Sequence, residues 1–326
     1  MNVSVCIPTF NQYPYIEKAV RSVAAQTLPP FEIIVYDDCS TDQTREALEK
    51  LAQEISILKV VHQPSNQGIS KNTDACLRAA TGEIVVRLDS DDYLSPNYIA
   101  SLRMALIDNP SAGYAHAAVQ EVDQNGRFLK KRRLSRKSGL QSGDDALKAA
   151  LKGYKVAANI IMFRRKVLEK VNYLSGRPNF GEDYHLTASI SAAGYGNVYK
   201  EELLSFYRVW VDTGKMRQRR KLHEIMGLQQ VFSDVIEPGF RARNWSLKEV
   251  EVSKESFACV HSDCLSWDFY SIAEKKELFH ELNKLSSSPK ARFYAKLYSS
   301  SLGQSFSMLS KFKTSLTHLV KKIISN

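Results

Sequence analysis

Two acidic clusters carry the chemistry this sequence is equipped for: Asp37-Asp38, and further along Asp89-Ser90-Asp91-Asp92. Carboxylates a few ångströms apart repel and raise one another's pKa, so such a cluster is best explained by a hard divalent cation that neutralises it. Oxygen-only ligands favour Mg2+ or Mn2+, which keeps few protein ligands while bridging two phosphate oxygens. Between the clusters, Asn66-Gln67-Gly68-Ile69-Ser70-Lys71-Asn72 sets a glycine just before a helix start, where free backbone N–H groups can face an anion, with Lys71 at hand. Each piece alone has other readings. An Asp pair after a strand also describes a phospho-acceptor receiver domain or a solvated loop, and a glycine before a helix is often only a turn.

The elements that must position these residues are legible in the apolar pattern. The first 110 residues alternate short β-branched runs with amphipathic helical stretches, which predicts β-α-β units and a largely parallel sheet. Strands are expected at Val3–Ile7, Phe31–Tyr36, Ile57–Val61 and Glu83–Leu88. Both acidic clusters then fall at strand ends, the edge of an open parallel sheet where ligands gather. Ile16, Ala19, Val20 and Val23 mark one helix, and Ala47, Leu48, Leu51 and Ile55 mark the next, with Ser40 and Gln43 as a capping-box pattern ahead of it. A third helix is expected over Ser70–Ala80, and Ser95-Pro96 predicts an N-cap with proline at the first helical position. Further on, Ala112–Val122, Ala158–Phe163 and Asn197–Val209 read as strands, with a helix over Glu182–Ala193. From about residue 215 the pattern is helical and polar, ending in a short basic amphipathic stretch over Lys311–Ile324.

The chain has 326 residues, 44% hydrophobic and 25% charged, a composition that excludes collagen, disorder and disulfide scaffolds. No window reaches the ~18 consecutive apolar residues of a membrane span, and residues 1–10 lack the features of a signal peptide, so a cytoplasmic location is expected. Its five cysteines are scattered and read as reduced thiols. Cys259 and Cys264 are read as core residues rather than zinc ligands, because no second cysteine pair closes a tetrahedral site. Charge is divided unevenly. Residues 1–120 hold 9 Lys and Arg against 14 Asp and Glu, a net of −5, which leaves 36 against 21, a net of +15, for residues 121–326. An acidic part suited to a cation is thus joined to a basic part suited to phosphates or an anionic membrane surface. Nucleic acid fits the charge, but no aromatic-interleaved platform accompanies it and none is expected as partner.

The order of these pieces resembles glycosyltransferase family 2. The resemblance rests on Val3-Ser4-Val5-Cys6-Ile7-Pro8-Thr9-Phe10-Asn11, Asp37-Asp38-Cys39-Ser40-Thr41-Asp42, the Asn66-x-Gly68 loop, Thr81-Gly82-Glu83 leading to Asp89-Ser90-Asp91-Asp92, and Gly181-Glu182-Asp183. It covers roughly residues 1–210. It implies an α/β fold of the GT-A type, Rossmann-like with a mostly parallel sheet flanked by helices, over residues 1–215, with a basic helical region over 216–326 for acceptor, membrane or subunit contacts. It also implies an inverting enzyme that uses a nucleotide sugar and Mn2+ or Mg2+. By the resemblance Pro8 and Thr9 line the nucleotide pocket, Asp38 meets the uracil of a UDP-sugar, and Asn66, Gly68 and Lys71 lie near the nucleotide. Asp89 and Asp91 are the acidic positions of the DXD motif around Ser90. Asp91 and Asp89 are the expected metal carboxylates, Asp91 as the direct ligand and Asp89 nearer the sugar or ribose, with Ser90 beside them at the nucleotide sugar. Asp183 matches the general base and Glu182 its supporting acid.

Two positions depart from the family pattern. His185 stands where a second carboxylate is frequent and reads as a partly exposed helix histidine. Trp210 stands where many relatives have a metal-completing histidine, with His223 the nearest alternative in sequence. The expected partners are a UDP-sugar and a glycan or lipid-linked acceptor in surface polysaccharide or glycoconjugate synthesis, with a weak, salt-sensitive contact to the inner face of an anionic membrane. The rival readings are a nucleotidyltransferase acting on a sugar phosphate and a non-catalytic nucleotide- or sugar-binding module.

Overall fold

The computed structural model describes residues 1–174, 177, 180–211 and 215–306. It divides into two compact units, residues 1–211 and 212–326.

The first unit is a ten-stranded sheet between helical layers. In chain order its elements are β1 (Val3–Thr9), α1 (Tyr15–Ala24), β2 (Glu32–Asp37), α2 (Thr44–Glu54), β3 (Leu58–His62), α3 (Ile69–Arg78) and β4 (Ile84–Arg87). These are followed by β5 (Tyr93–Leu94), α4 (Tyr98–Asp108), β6 (Ala112–Val122), β7 (Phe128–Arg132), β8 (Gly139–Gln141) and α5 (Gly143–Ala150). The unit closes with β9 (Ile161–Arg164), α6 (Arg165–Lys170), α7 (Glu182–Ala192) and β10 (Gly196–Arg208). The strand order is β3-β2-β1-β4-β9-β6-β10-β5, with β7 added to β6 and β8 to β10. Pairing is parallel among β3, β2, β1 and β4 and between β6 and β10. β9 is antiparallel to both β4 and β6 and joins the two parallel groups.

The central strands bury both faces, which is why they read as continuous apolar runs rather than alternating ones. Val3, Val5, Ile7, Ile33 and Val35 pack on one side with Ile16, Val20, Val23, Leu48 and Leu51. Cys6, Ile34 and Val85 point the other way, against Cys76, Leu77, Phe163, Val167 and Ile190.

Two expected helix starts are displaced. α2 begins at Thr44, whose N–H donates to Asp42 Oδ1 (3.0 Å), while Ser40 Oγ accepts instead from Asn11 N (2.9 Å). Ser40 is therefore a tie between loops and not a cap. α4 begins at Tyr98 with Asn97 as its flanking residue, and the Ser95 carbonyl accepts from Tyr98 N at 3.1 Å.

The second unit is helical: α8 (Met216–Arg219), α9 (Lys221–Val231), α10 (Glu237–Arg241), α11 (Lys248–His261), α12 (Ile272–Leu285) and α13 (Pro289–Ser299). α12 starts with a capping box between Ser271 and Glu274. Its core includes Ile225, Cys264, Leu265, Leu278, Leu282 and Ala295. No described helix is long and apolar enough to cross a membrane. The amphipathic stretch Lys311–Ile324 lies outside the described residues.

Candidate active site

The carboxyl ends of β1, β2 and β4 bring the first group of site residues together. Pro8 and Thr9 end β1 and are buried, and Thr9 Oγ1 has no hydrogen-bond partner among the described residues. The Thr9 carbonyl accepts from Asp38 N (2.9 Å) just beyond β2. Asp38 is buried, and its carboxylate accepts from two backbone groups of the following loop, Gln67 N at Oδ1 (2.7 Å) and Gly68 N at Oδ2 (2.9 Å). Asn66 Nδ2 donates to the Asp38 carbonyl (3.2 Å), so Asp38 holds the loop through both its side chain and its backbone. Gly68 leads into α3 at φ +84, a backbone conformation that L side chains rarely adopt. Lys71 lies exposed in the first turn of α3. Asp37, the other half of the pair, is engaged elsewhere: it meets His62 Nδ1 (2.9 Å) and accepts from Ser40 N (3.2 Å), fastening the ends of β2 and β3.

The second acidic cluster follows β4 as a tight turn, with Asp92 N donating to the Asp89 carbonyl (3.0 Å) and Ser90 buried between. Arg208, the last residue of β10, wraps this turn. Its N–H donates to Asp92 Oδ1 (2.7 Å), its Nε to the Asp91 carbonyl (2.9 Å) and its Nη1 to the Asp123 carbonyl (2.7 Å). Trp210 Nε1 donates to Asp91 Oδ2 (2.6 Å), and Tyr15 meets the Trp210 ring edge-on at 5.3 Å. Burial pushes Asp91 above the ordinary carboxylate value, with the Asp89 charge adding to it and the Trp210 bond opposing. Burial, then the charges of Asp91 and Asp89, push Asp92 well up, and Asp92 Oδ2 is buried with no hydrogen-bond partner among the described residues.

The third group stands on the first turn of α7, after Gly181 at φ +79. Asp183 is buried, and its Oδ1 accepts from Arg87 Nη1; the same guanidinium donates through Nε to Asp89 Oδ1 (3.1 Å). Burial raises Asp183 to about 7, against the pull of Arg87 and with the help of the Glu182 and Asp89 charges. Burial raises Glu182 too, with Arg87 opposing. Arg87 stays charged: burial disfavours its cation, but Asp183, Asp89 and Glu182 more than restore it.

His185 departs from the expectation of partial exposure. It is buried in α7, with Nδ1 against Arg177 Nη1 and 3.3 Å from Ser189 Oγ, so that Arg177 covers a ring the sequence pattern leaves facing solvent. His223 is exposed on α9 of the second unit. Arg87 and Arg208 were not singled out from sequence. For Arg87 the available signal was a charged residue closing the buried apolar run Ile84-Val85-Val86; β10, with Lys200, Glu201 and Glu202 partly or fully exposed in its middle, offers no such signal for Arg208.

The family model described as "Glycosyl transferase family 2" matches residues 4–171, just over half of the chain, and the chain belongs to that family. It is 38% identical over 97 residues to the poly(ribitol-phosphate) beta-N-acetylglucosaminyltransferase TarS of Staphylococcus aureus, a stretch covering 29% of this chain and 17% of that protein. It is 30% identical over 210 residues to the GalNAc(5)-diNAcBac-PP-undecaprenol beta-1,3-glucosyltransferase of Campylobacter jejuni, covering 63% of this chain and 61% of the relative. The match thus spans less than two thirds of either relative. Among solved structures, S. aureus TarS 1-349 in complex with UDP superimposes with a TM-score of 0.57 at 21% identity, covering 91% of both chains. The mannosyltransferase PcManGT from Pyrobaculum calidifontis, in complex with GDP-Man and Mn2+, gives 0.55 at 21% identity, covering 96% of this chain and 86% of that one. The shared fold is GT-A, with helices following it.

Proposed function

We propose that this protein is an inverting, metal-dependent glycosyltransferase that moves a sugar from a UDP-sugar to a hydroxyl of a glycan or lipid-linked acceptor in surface polysaccharide synthesis. The observation that carries the reading is the placement of Asp183, a buried carboxylate raised to about 7, one guanidinium away from the strand-end carboxylate Asp89. A general base works best with a pKa near the operating pH.

In this reading the acceptor O–H gives its proton to Asp183 as its oxygen bonds to the anomeric carbon of the donor sugar. The bond from that carbon to the diphosphate oxygen breaks with its electron pair, releasing UDP. Asp183 Oδ1 is taken by Arg87, leaving Oδ2 to receive the proton. Attack from the side of the base, opposite the leaving group, inverts the anomeric centre. Pro8, Thr9 and the loop held by Asp38 form the wall of the nucleotide pocket, and a UDP donor agrees with the UDP-bound TarS structure. Mn2+ or Mg2+, when bound, would neutralise charge developing on the departing diphosphate. The donors here fit such an ion: Asp91 and Asp92 are hard carboxylates raised by burial and by neighbouring negative charge, and Asp92 Oδ2 is an orphaned buried oxygen. No three potential ligands cluster among the described residues, so donor phosphates and water would supply much of the shell.

Calorimetric titration with UDP, GDP, CDP and ADP, each with Mn2+ and with excess EDTA, tests the donor site. Metal-dependent UDP binding that weakens in Asp38→Ala and Asp91→Ala is expected. No nucleotide binding under any condition would remove the transferase reading, and pyrophosphate release from a nucleoside triphosphate with a sugar phosphate would replace it with nucleotidyl transfer.

A further inference from the structure

Arg87 is a cation with 3% of its side chain exposed, at the end of a strand whose other residues are Ile84, Val85 and Val86. Burying a guanidinium is costly unless it is paired and hydrogen-bonded. It is paired twice, through different nitrogens, to two carboxylates from different elements: Asp89, two residues on, and Asp183, on α7. Its backbone is held from both sides, with Arg87 in register with Cys6 of β1 and with Ile161 of β9. This makes the Arg87 Cα one of the firmly placed points at the edge of the site. Asp183, in contrast, is the second residue of a helix that follows a left-handed glycine, and its carboxylate gains its orientation from the bond to Arg87.

We propose that Arg87 is a positioning residue for transfer: by gripping Asp89 and Asp183 with one planar fork, it sets the base carboxylate against the donor-site carboxylate. The role rests on the transferase reading above and adds to it a residue that touches neither donor nor acceptor. A fork is needed because two carboxylates must be met at once in fixed directions; a lysine ammonium supplies the charge without that geometry.

The test is Arg87→Lys, with Arg87→Met as a second variant, each examined for UDP affinity with Mn2+, thermal midpoint, and kcat and KM for donor and acceptor. Misplacing a reacting group by about 1 Å costs on the order of 100-fold in rate. The expected result for Arg87→Lys is therefore a kcat lower by about 100-fold, with UDP affinity and donor KM within about threefold of wild type. Arg87→Met should lose more activity than Arg87→Lys while still binding UDP, since it lacks the charge as well as the fork. A kcat for Arg87→Lys within about threefold of wild type overturns the proposal. So does a parallel fall of UDP affinity, thermal midpoint and kcat in both variants, which would make Arg87 a structural residue only. Wild-type protein that binds no nucleotide removes the transferase reading and the Arg87 role together, an outcome distinct from either.

Discussion

Whether Asp183 is an ordinary carboxylate or a base poised near neutrality depends on two opposed effects, and the pH dependence of the reaction reads which one wins. A guanidinium ~4 Å away at an effective dielectric of ~20 stabilises the carboxylate by about 4 kcal/mol. Against this stand the desolvation of a buried carboxylate, itself several kcal/mol, and the charges of Glu182 and Asp89. The balance raises Asp183 from 3.8 to about 7, which corresponds to about 4 kcal/mol of preference for the protonated form. The base must be ionised, so kcat/KM for the acceptor should fall about tenfold per pH unit below 7 and level off above it. The stability consequence has the opposite direction. A carboxyl raised in the folded state contributes stability that is complete below about pH 4 and is lost as pH rises through about 7. Asp183→Asn cannot ionise, so wild type should lose about 2 kcal/mol relative to this variant between about pH 5.5 and 8. Initial rates over that range and urea unfolding of both proteins supply the two curves. A flat rate down to about pH 5.5 together with a constant stability difference would show that Arg87 outweighs burial and that Asp183 is an ordinary carboxylate.

Two further outcomes follow from particular bonds. Trp210→Phe removes the indole N–H from Asp91 Oδ2, a bond of about 1.5 kcal/mol to a charged acceptor, and should tighten Mn2+-dependent UDP binding by up to about tenfold in calorimetry; weaker binding would show that the indole holds Asp91 in its working orientation. Glu32 is buried, and although burial opposes its charge, Lys59, Ser4 and Thr81 hold it at about 2. Its stabilisation is present above about pH 4.5 and is lost as pH falls through about 2, so Glu32→Gln should cost about 3 kcal/mol in urea unfolding at about pH 7 and progressively less in acid; an equal cost at both ends would assign the loss to packing.

The local part of the fold was legible because each β-α unit carries its own pattern. Ile16, Ala19, Val20 and Val23 sit on one helical face and are all buried, and Ala112–Val122 is a strand over the residues its pattern marks. Cap positions were less so. Ser40-x-x-Gln43 satisfies a capping pattern, yet the Asn11 N–H, which comes close only when β1 and β2 pair, takes the Ser40 hydroxyl instead. His185 looked polar and partly exposed because α7 lacks a clean apolar stripe, and its burial depends on what packs around the helix.

Which residues could act is written in local pattern, as acidic types at strand ends and a glycine-led loop. So is the β-α order that delivers them to one edge of a sheet. How those residues divide the work depends on long-range packing. Adjacent Asp37 and Asp38 serve different partners, His62 and the loop at Gln67 and Gly68, because successive residues at a strand end point to opposite sides. Asp89 and Asp183 are far apart in the chain, and β9, inserted between β4 and β6, is part of the packing that brings α7 to the end of β4. No local pattern encodes that a single buried arginine spans them, because the pairing exists only once the sheet has closed and solvent has left the guanidinium with two carboxylates as its partners.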